Sequence, residues 1–230
     1  MAAHRTPEQL KPLIIKGTQH IVATGGMANF SYPKLTKQTG ISAPTVYEHY
    51  KNKEDLLTSC FMDIETEISA MMAKILKKMS FRTLDAESFD KLCWILWISY
   101  WNYLMADANR TIYYRSFRNS VYYTTEVSKR HYKVFKEFNN FVQEVDKQFS
   151  LSSKCNVQIL VENLINGTVT GAVNILNGIY KNNDVSVATV YHMVFQPISA
   201  LLSDKSEKDR DGSTSSDSQK NQGNTAHSDL

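Results

Sequence analysis

The residues with most chemistry to offer stand together in one stretch, SYPKLTKQTGISAPTVYEHYKNK, from Ser31 to Lys53. Ser42, Ala43, Pro44, Thr45, Tyr47 and His49 are small, hydroxyl-bearing, aromatic or imidazole-bearing residues within eight consecutive positions. Such side chains on the outer face of a short helix suit reading of a DNA major groove. Thr45 can donate to a phosphate or touch a thymine methyl. Lys34 and Lys37 precede this segment, where a crossing helix would bring them to phosphates. Lys53 stands beside the start of a further helix, so its charge and the backbone N–H groups there can meet one phosphate. Glu48 is discordant, because its charge repels phosphate unless it reaches a cytosine amino group.

Three helices must position these groups. Ser31 can cap the first, with Pro33 in the first turn and Gly40 closing it in the position that favours a left-handed residue. Ser42 can cap the second, with Pro44 in its first turn. Asn52 can cap the third, with Asp55 three residues on as a weak capping box. The middle helix is too short to be stable alone and must be held by packing. Val46 and Tyr50, four apart, share a face that can dock on Leu35 and Ile41. Spacing alone fits an ordinary αα-hairpin as well as a helix-turn-helix.

GISAPTVYEHYKNKEDLL resembles the DNA-binding core of the TetR family of transcriptional regulators. Gly40, Ile41, Ser42, Thr45, Val46, Tyr47, His49, Tyr50, Lys53, Glu54 and Leu56 stand in register with the family pattern. The resemblance implies that Tyr47 and His49 contact phosphate and that Tyr50 is a buried aromatic. It also implies a brace helix from Thr6 and Pro7 through Leu10, Leu13, Ile14, Ile21 and Val22 to Gly25 and Gly26. Family members usually carry two alanines where Gly17 and Thr18 stand, so this helix is weaker in propensity by about 1 kcal/mol or more. Arg5, Lys11 and Lys16 could approach phosphates, although Lys11 and Lys16 suit a solvated face.

Composition bounds the rest. The 230 residues are 42% hydrophobic and 11% aromatic, enough for one large core or a small domain plus a larger one. A net charge of only +3 means that any nucleic-acid surface is a local patch. Cys60, Cys93 and Cys155 form no disulfide framework and no C-x-x-C motif, which fits a reducing cytoplasm. The first residues lack the apolar run of a signal peptide. No membrane span is expected: the longest apolar candidate, near Ile159 to Ile179, is broken by Glu162, asparagines and glycines. No nucleophile–base pair, phosphate-cradling loop or metal-ligand spacing stands out, so neither enzyme activity nor a cofactor is expected.

From Lys53 to Met79 the pattern predicts a long amphipathic helix, with Leu56, Leu57, Cys60, Phe61, Ile64, Ile68 and Met72 on one stripe. Ser80 to Leu84 reads as a loop, with Thr83 or Asp85 capping the next helix. A strongly aromatic region follows. Trp94, Trp97, Tyr100, Trp101, Tyr113, Tyr114 and Phe117 are candidate walls for a pocket holding an apolar or aromatic small molecule. Trp94, Trp97 and Trp101 form one helical stripe, which would equally suit a plain core. Arg110, Arg115 and Arg118 could neutralise an acidic ligand or sit in water. One helix is predicted from Tyr123 to Phe149, with His131 at its surface or near a cap. Two last helices are predicted at about Asn156–Tyr180 and Val185–Leu202, the second interrupted or kinked by Pro197. Small residues around Gly167 and Gly171 suit close helix packing, either within the chain or between copies. From Ser203 the chain is polar and should be disordered.

The expected architecture is all-α. An N-terminal helix-turn-helix domain spans 6–56, with the helix-turn-helix at 31–50. A larger helical domain for ligand binding and dimerisation spans 57–203, and a polar tail spans 204–230. The resemblance implies a homodimeric repressor that binds a pseudo-palindromic DNA operator, pairs through its last two helices and is released by a small molecule. A helical ligand-binding or protein-interaction module with a vestigial DNA head is the other reading.

Overall fold

The fold comes from a computed structural model that describes residues 6–78 and 86–211. Ten α-helices and no strand occur among the described residues. They are α1 (Pro7–Gly25), α2 (Tyr32–Thr39), α3 (Ala43–His49), α4 (Lys53–Leu76), α5 (Ala86–Met105), α6 (Ala108–Arg118), α7 (Thr125–Val134), α8 (Lys136–Phe149), α9 (Val157–Leu176) and α10 (Asp184–Asp211). The expected loop at Ser80–Leu84, its caps at Thr83 and Asp85, the end of the long helix at Met79 and the side chain of Arg5 lie outside the described residues, as do 212–230.

The first helices end where their local signals say. The Thr6 N–H donates to Gln9 Oε1 at 3.0 Å, and Pro7 opens α1. Gly40, at φ 72° and ψ 8°, ends α2 in the left-handed region that costs other residues a Cβ clash. Ser42 Oγ accepts from the Thr45 N–H at the start of α3. Asn52 Oδ1 accepts from the Asp55 N–H at 2.8 Å, and Asp55 Oδ2 reaches back to the Lys51 N–H at 2.9 Å. The reciprocal bond thus falls one residue earlier than in a standard capping box. Ser31 flanks α2 in extended geometry but makes no side-chain cap bond.

One core runs through the molecule. Leu35, Ile41, Val46 and Tyr50 are all buried, which pins the inner face of α3 as its spacing requires. Tyr50 does so from an extended residue just past the helix end. Helix α4 buries Leu56, Leu57, Cys60, Phe61, Ile64, Ile68, Met72 and Leu76. It packs on α1 at one end and on α5, α6, α7 and α8 along its length. Helix α6 lies between α1 and α9.

Two expectations need correction. The helix predicted from Tyr123 to Phe149 is two helices, α7 and α8, joined at Phe135 with φ −87° and ψ 25°. The break lets Val127, Phe135, Phe141 and Val145 all reach the core. The last helix does not stop near Leu202 but continues to Asp211, so residues 203–211 are helical where disorder was expected. The apolar stretches Val157–Leu176 and Asp184–Leu202 are long enough to cross a membrane by length and composition alone, a test that core helices of folded domains also pass. A single Glu162 does not interrupt the first, which is packed against α5, α6 and α10.

Gly167 and Gly171 of α9 face α10 of the same chain. A Cβ on Gly171 would stand 2.8 Å from Val190 Cγ2, and one on Gly167 would stand 2.7 Å from Val194 Cγ1. The small-residue face therefore serves an intrachain crossing, one of the two uses its composition allows.

Candidate nucleic-acid interface

Packing of Val46 and Tyr50 leaves the rest of α3 outward. Ser42, Pro44, Tyr47, Glu48 and His49 are exposed, and Ala43 and Thr45 are half-buried. The Ser42 and Thr45 hydroxyls lie 2.8 Å apart, so each holds the other's rotamer. Tyr47 leans on the Tyr32 ring, with centroids 4.6 Å apart, yet stays 51% exposed. Burial, then the neighbouring Tyr47, pushes the Tyr32 hydroxyl pKa up to about 12, so Tyr32 remains a neutral donor at physiological pH. His49 meets Tyr50 edge-on and also lines a cleft with Lys11 and Arg130.

The lysines divide by what already holds them. Lys37 is exposed on α2. Lys34 Nζ donates to the Asn29 backbone oxygen at 3.1 Å and to the Asn29 side-chain oxygen. Lys53 Nζ donates to the Phe30 carbonyl at 3.1 Å and lies 5.7 Å from the Phe30 ring centre. An ammonium has three donors, so one bond leaves Lys53 able to reach a phosphate. Lys11 lies on a solvated face, as its sequence position suggests, and stands 3.7 Å from Asp63 of α4.

The second region of interest lies in the larger helical part. A cavity of about 120 Å³ is lined by residues of α4, α5, α6, α7, α8, α9 and α10. Of the aromatic residues expected at a pocket, Trp97, Tyr100 and Tyr114 line it. Trp101, Tyr113 and Phe117 are buried but do not line it, and Trp94 is 39% exposed, with its ring edge-on to Tyr191 of α10. The aromatic stripe is thus divided between cavity wall, solid core and surface.

The structure also joins groups that the sequence pattern did not. Glu65 of α4 has no solvent exposure. Its Oε1 accepts from the Tyr114 hydroxyl at 2.5 Å, and its Oε2 accepts from His131 Nδ1. His131 stands in the last turn of α7, beside the C-cap as one of its two expected placements had it, and its ring lines the cavity rather than the surface. The available signal was a Glu in the apolar stripe of α4, between Phe61 and Ile68. Burial, and next the Glu65 carboxylate, raises the Tyr114 hydroxyl pKa well above its ordinary value. Arg118, also buried, donates to Glu162 at 2.5 Å and lies over the Tyr123 ring at 5.1 Å. Arg110 stacks on Tyr103 at 3.7 Å. Both arginines are held by groups of their own chain.

Residues 14–60 match the family model described as bacterial regulatory proteins, tetR family. The chain carries the TetR-family DNA-binding domain. That match covers the capped helices, the pinned α3 and the start of α4. No curated protein sequence matches the chain. Solved structures of the TetR family share the fold over nearly their whole length. A transcription regulator from Marinobacter aquaeolei VT8 aligns with a TM-score of 0.64 at 18% identity, covering 81% of this chain and 93% of that one. One from Shewanella sp. PV-4, named as a putative family regulator, aligns at 0.63 and 13% identity over 84% and 98%. FadR from Bacillus subtilis, solved in complex with stearoyl-CoA, aligns at 0.58 and 18% identity over 80% and 97%. The TetR fold of this chain therefore extends past the matched domain into the larger helical part.

Proposed function

We propose that the chain is a homodimeric transcriptional repressor that reads a pseudo-palindromic operator and lets go of it when a small molecule enters its larger domain. The observation that carries this reading is the division of α3 into a buried face, Val46 with Tyr50 behind it, and an outward face of hydroxyls and rings. Ala43 and Thr45 meet base edges in the major groove. Ser42, Pro44, Tyr47 and His49 fit against the sugar–phosphate wall, and Lys34, Lys37 and Lys53 contact phosphates. Residues 6–56 form the reading head and 57–203 the sensing and pairing domain. In a two-fold dimer, two copies of α3 enter successive major grooves.

The cavity and the ligand seen in the FadR complex support the sensing half of the proposal. A ligand can act only through different affinities for the DNA-competent and DNA-released geometries. Helix α4 is suited to carry that difference, since Ile68 and Met72 line the cavity and Lys53 opens the same helix. The proposed chemistry is binding without catalysis, in the cytoplasm.

Selection of sites from random duplex DNA with the purified chain, near physiological salt, tests the reading. A two-fold symmetric site is the expected product. Recovery of no motif, with weak binding that vanishes as salt rises, would sink it.

A further inference from the structure

The cavity of the larger domain opens into a second hollow. This outer cleft, of about 590 Å³, is lined from α7, α8 and α9. His131, Asn139, Val142, Val157 and Val161 line both spaces and form a throat between them. The throat lies between α8, which packs on α4, and α9, which packs on α5, α6 and α10. Its polar groups are already engaged: Asn139 Nδ2 donates to the Tyr132 carbonyl at 2.8 Å, and His131 Nδ1 meets Glu65. A molecule passing through therefore meets chiefly the three valines.

The two compartments differ in shape and chemistry. The inner wall is mainly hydrocarbon, with Ile68, Met72, Leu96, Phe138 and Leu164 in it. Its positions on α9 run from Val157 to Ile165, about 12 Å at the helical rise, so the inner space is a slot along the helices. The outer cleft is polar and carries Ser128, Lys129, Lys133, Gln143 and Asp146. Glu162 stands there too, but Arg118 neutralises it at 2.5 Å. Asp146 accepts from the Ser152 N–H at 2.7 Å. Lys129 and Lys133 stand one turn apart and exposed on α7, and among the described residues neither is paired with an acid.

We infer that the site takes a linear amphiphile with an anionic head, its alkyl chain threaded through the throat into the inner slot and its head in the outer cleft beside Lys129 and Lys133. The assignment rests on the reading of the larger domain as a ligand sensor and names what it senses. An apolar slot joined end to end with a cationic cleft matches a molecule whose two ends differ in the same way. The chain gains affinity by leaving water, and the lysines select the sign of the head. Ile68 and Met72, in the wall of the slot, bring the chain into contact with α4, the helix that Lys53 opens.

Decanoate, decanol and decyltrimethylammonium share a chain and differ in head charge. Each is titrated calorimetrically into the full-length chain without DNA. Decanoate should bind tightest and decyltrimethylammonium weakest. From hexanoate through octanoate to decanoate, affinity should rise roughly fourfold for each added methylene. Lys129→Gln combined with Lys133→Gln should weaken decanoate roughly fivefold, the range of two exposed ion pairs, and leave decanol unchanged. Val161→Phe narrows the throat from α9 and Val142→Phe narrows it from α8; each should abolish binding of decanoate and decanol alike. Thermal melting checks that each variant is folded, and where one throat variant melts early the other decides. Absence of decanoate binding, equal binding of the cationic probe, affinity indifferent to chain length, an unchanged decanoate affinity in the lysine variant, or binding that survives a folded throat variant would each overturn the assignment. A parallel titration of the DNA complex separates the two proposals. Decanoate that binds in this pattern but leaves DNA bound keeps the amphiphile site and removes the ligand-released repressor. A chain that selects a two-fold DNA site yet binds none of the probes keeps the DNA reader and removes the amphiphile.

Discussion

Lys53 has two partners competing for one ammonium. One N–H is held by the Phe30 carbonyl just before α2, which leaves the ammonium two further donors for the proposed phosphate. Lys53→Ala should therefore do two things. It should weaken binding to every DNA sequence alike and lower the salt slope of log affinity by about one. It should also lower thermal stability, by about 1 kcal/mol, because the Phe30 carbonyl loses its charged donor. Thr45→Ala should behave oppositely on DNA, changing the preferred site while keeping the salt slope. Both are read from one set of titrations on selected and scrambled duplexes at several salt concentrations. A change of sequence preference in Lys53→Ala would mean that phosphate and base contacts have been assigned to the wrong residues.

At the scale of elements, helix propensity and packing pull in opposite directions at Gly17. Alanine in a helix interior is favoured over glycine by about 1 kcal/mol. Yet a Cβ at Gly17 would lie 2.4 Å from Thr39 Cγ2 and 3.0 Å from Leu35 Cδ1. Thr39 cannot easily turn away, since its hydroxyl donates to the Leu35 carbonyl at 2.8 Å and accepts from the Ile41 N–H at 3.1 Å. That second bond helps fix the turn leading into α3. Overpacking a fitted site typically costs about 1–3 kcal/mol, so Gly17→Ala should be destabilising despite its better propensity. Urea unfolding decides it, and a raised midpoint would refute the argument. The example marks what can be read from sequence. Caps, prolines and Gly40 act locally, and they placed α1 to α4 within a few residues. The Phe135 break carries no Pro or Gly, and only the packing of both halves onto α4 makes it necessary. Glu65 was hidden because a single acidic residue on an apolar stripe gives no sign of its partner, and that partner, His131, is 66 residues away. Helix α10 outruns its apolar stretch because the residues from Ser203 to Asp211 include no helix breaker before Gly212. The division of the aromatic residues depended on which side of α5 and α6 met neighbours, and no local pattern contains that.

The whole molecule leaves one face unaccounted for. Val185 is 75% exposed and Met193 70%, both on α10, and Ile159 of α9 is 59% exposed. None of the apolar window Asp184–Leu202 is buried, whereas Gly167 and Gly171 of α9 are closed by Val190 and Val194. A long apolar helix of this kind needs a cover, and two covers are consistent with its composition: a membrane or a second copy of the same pair of helices. Burial against the same helices of a second chain is the proposal that also places two copies of α3 for two half-sites. It predicts a dimer at micromolar concentration, purified without detergent and detected by sedimentation. Met193→Asp should shift that dimer to monomer, because a charge buried in an apolar interface loses its water without gaining a partner. The variant should keep its helix content, as the side chain is exposed within one chain, and should lose most of its affinity for a two-fold site while keeping weak binding to a half-site. A wild-type chain that sediments as a monomer, or a Met193→Asp chain that stays dimeric and binds as before, would move the pairing surface elsewhere.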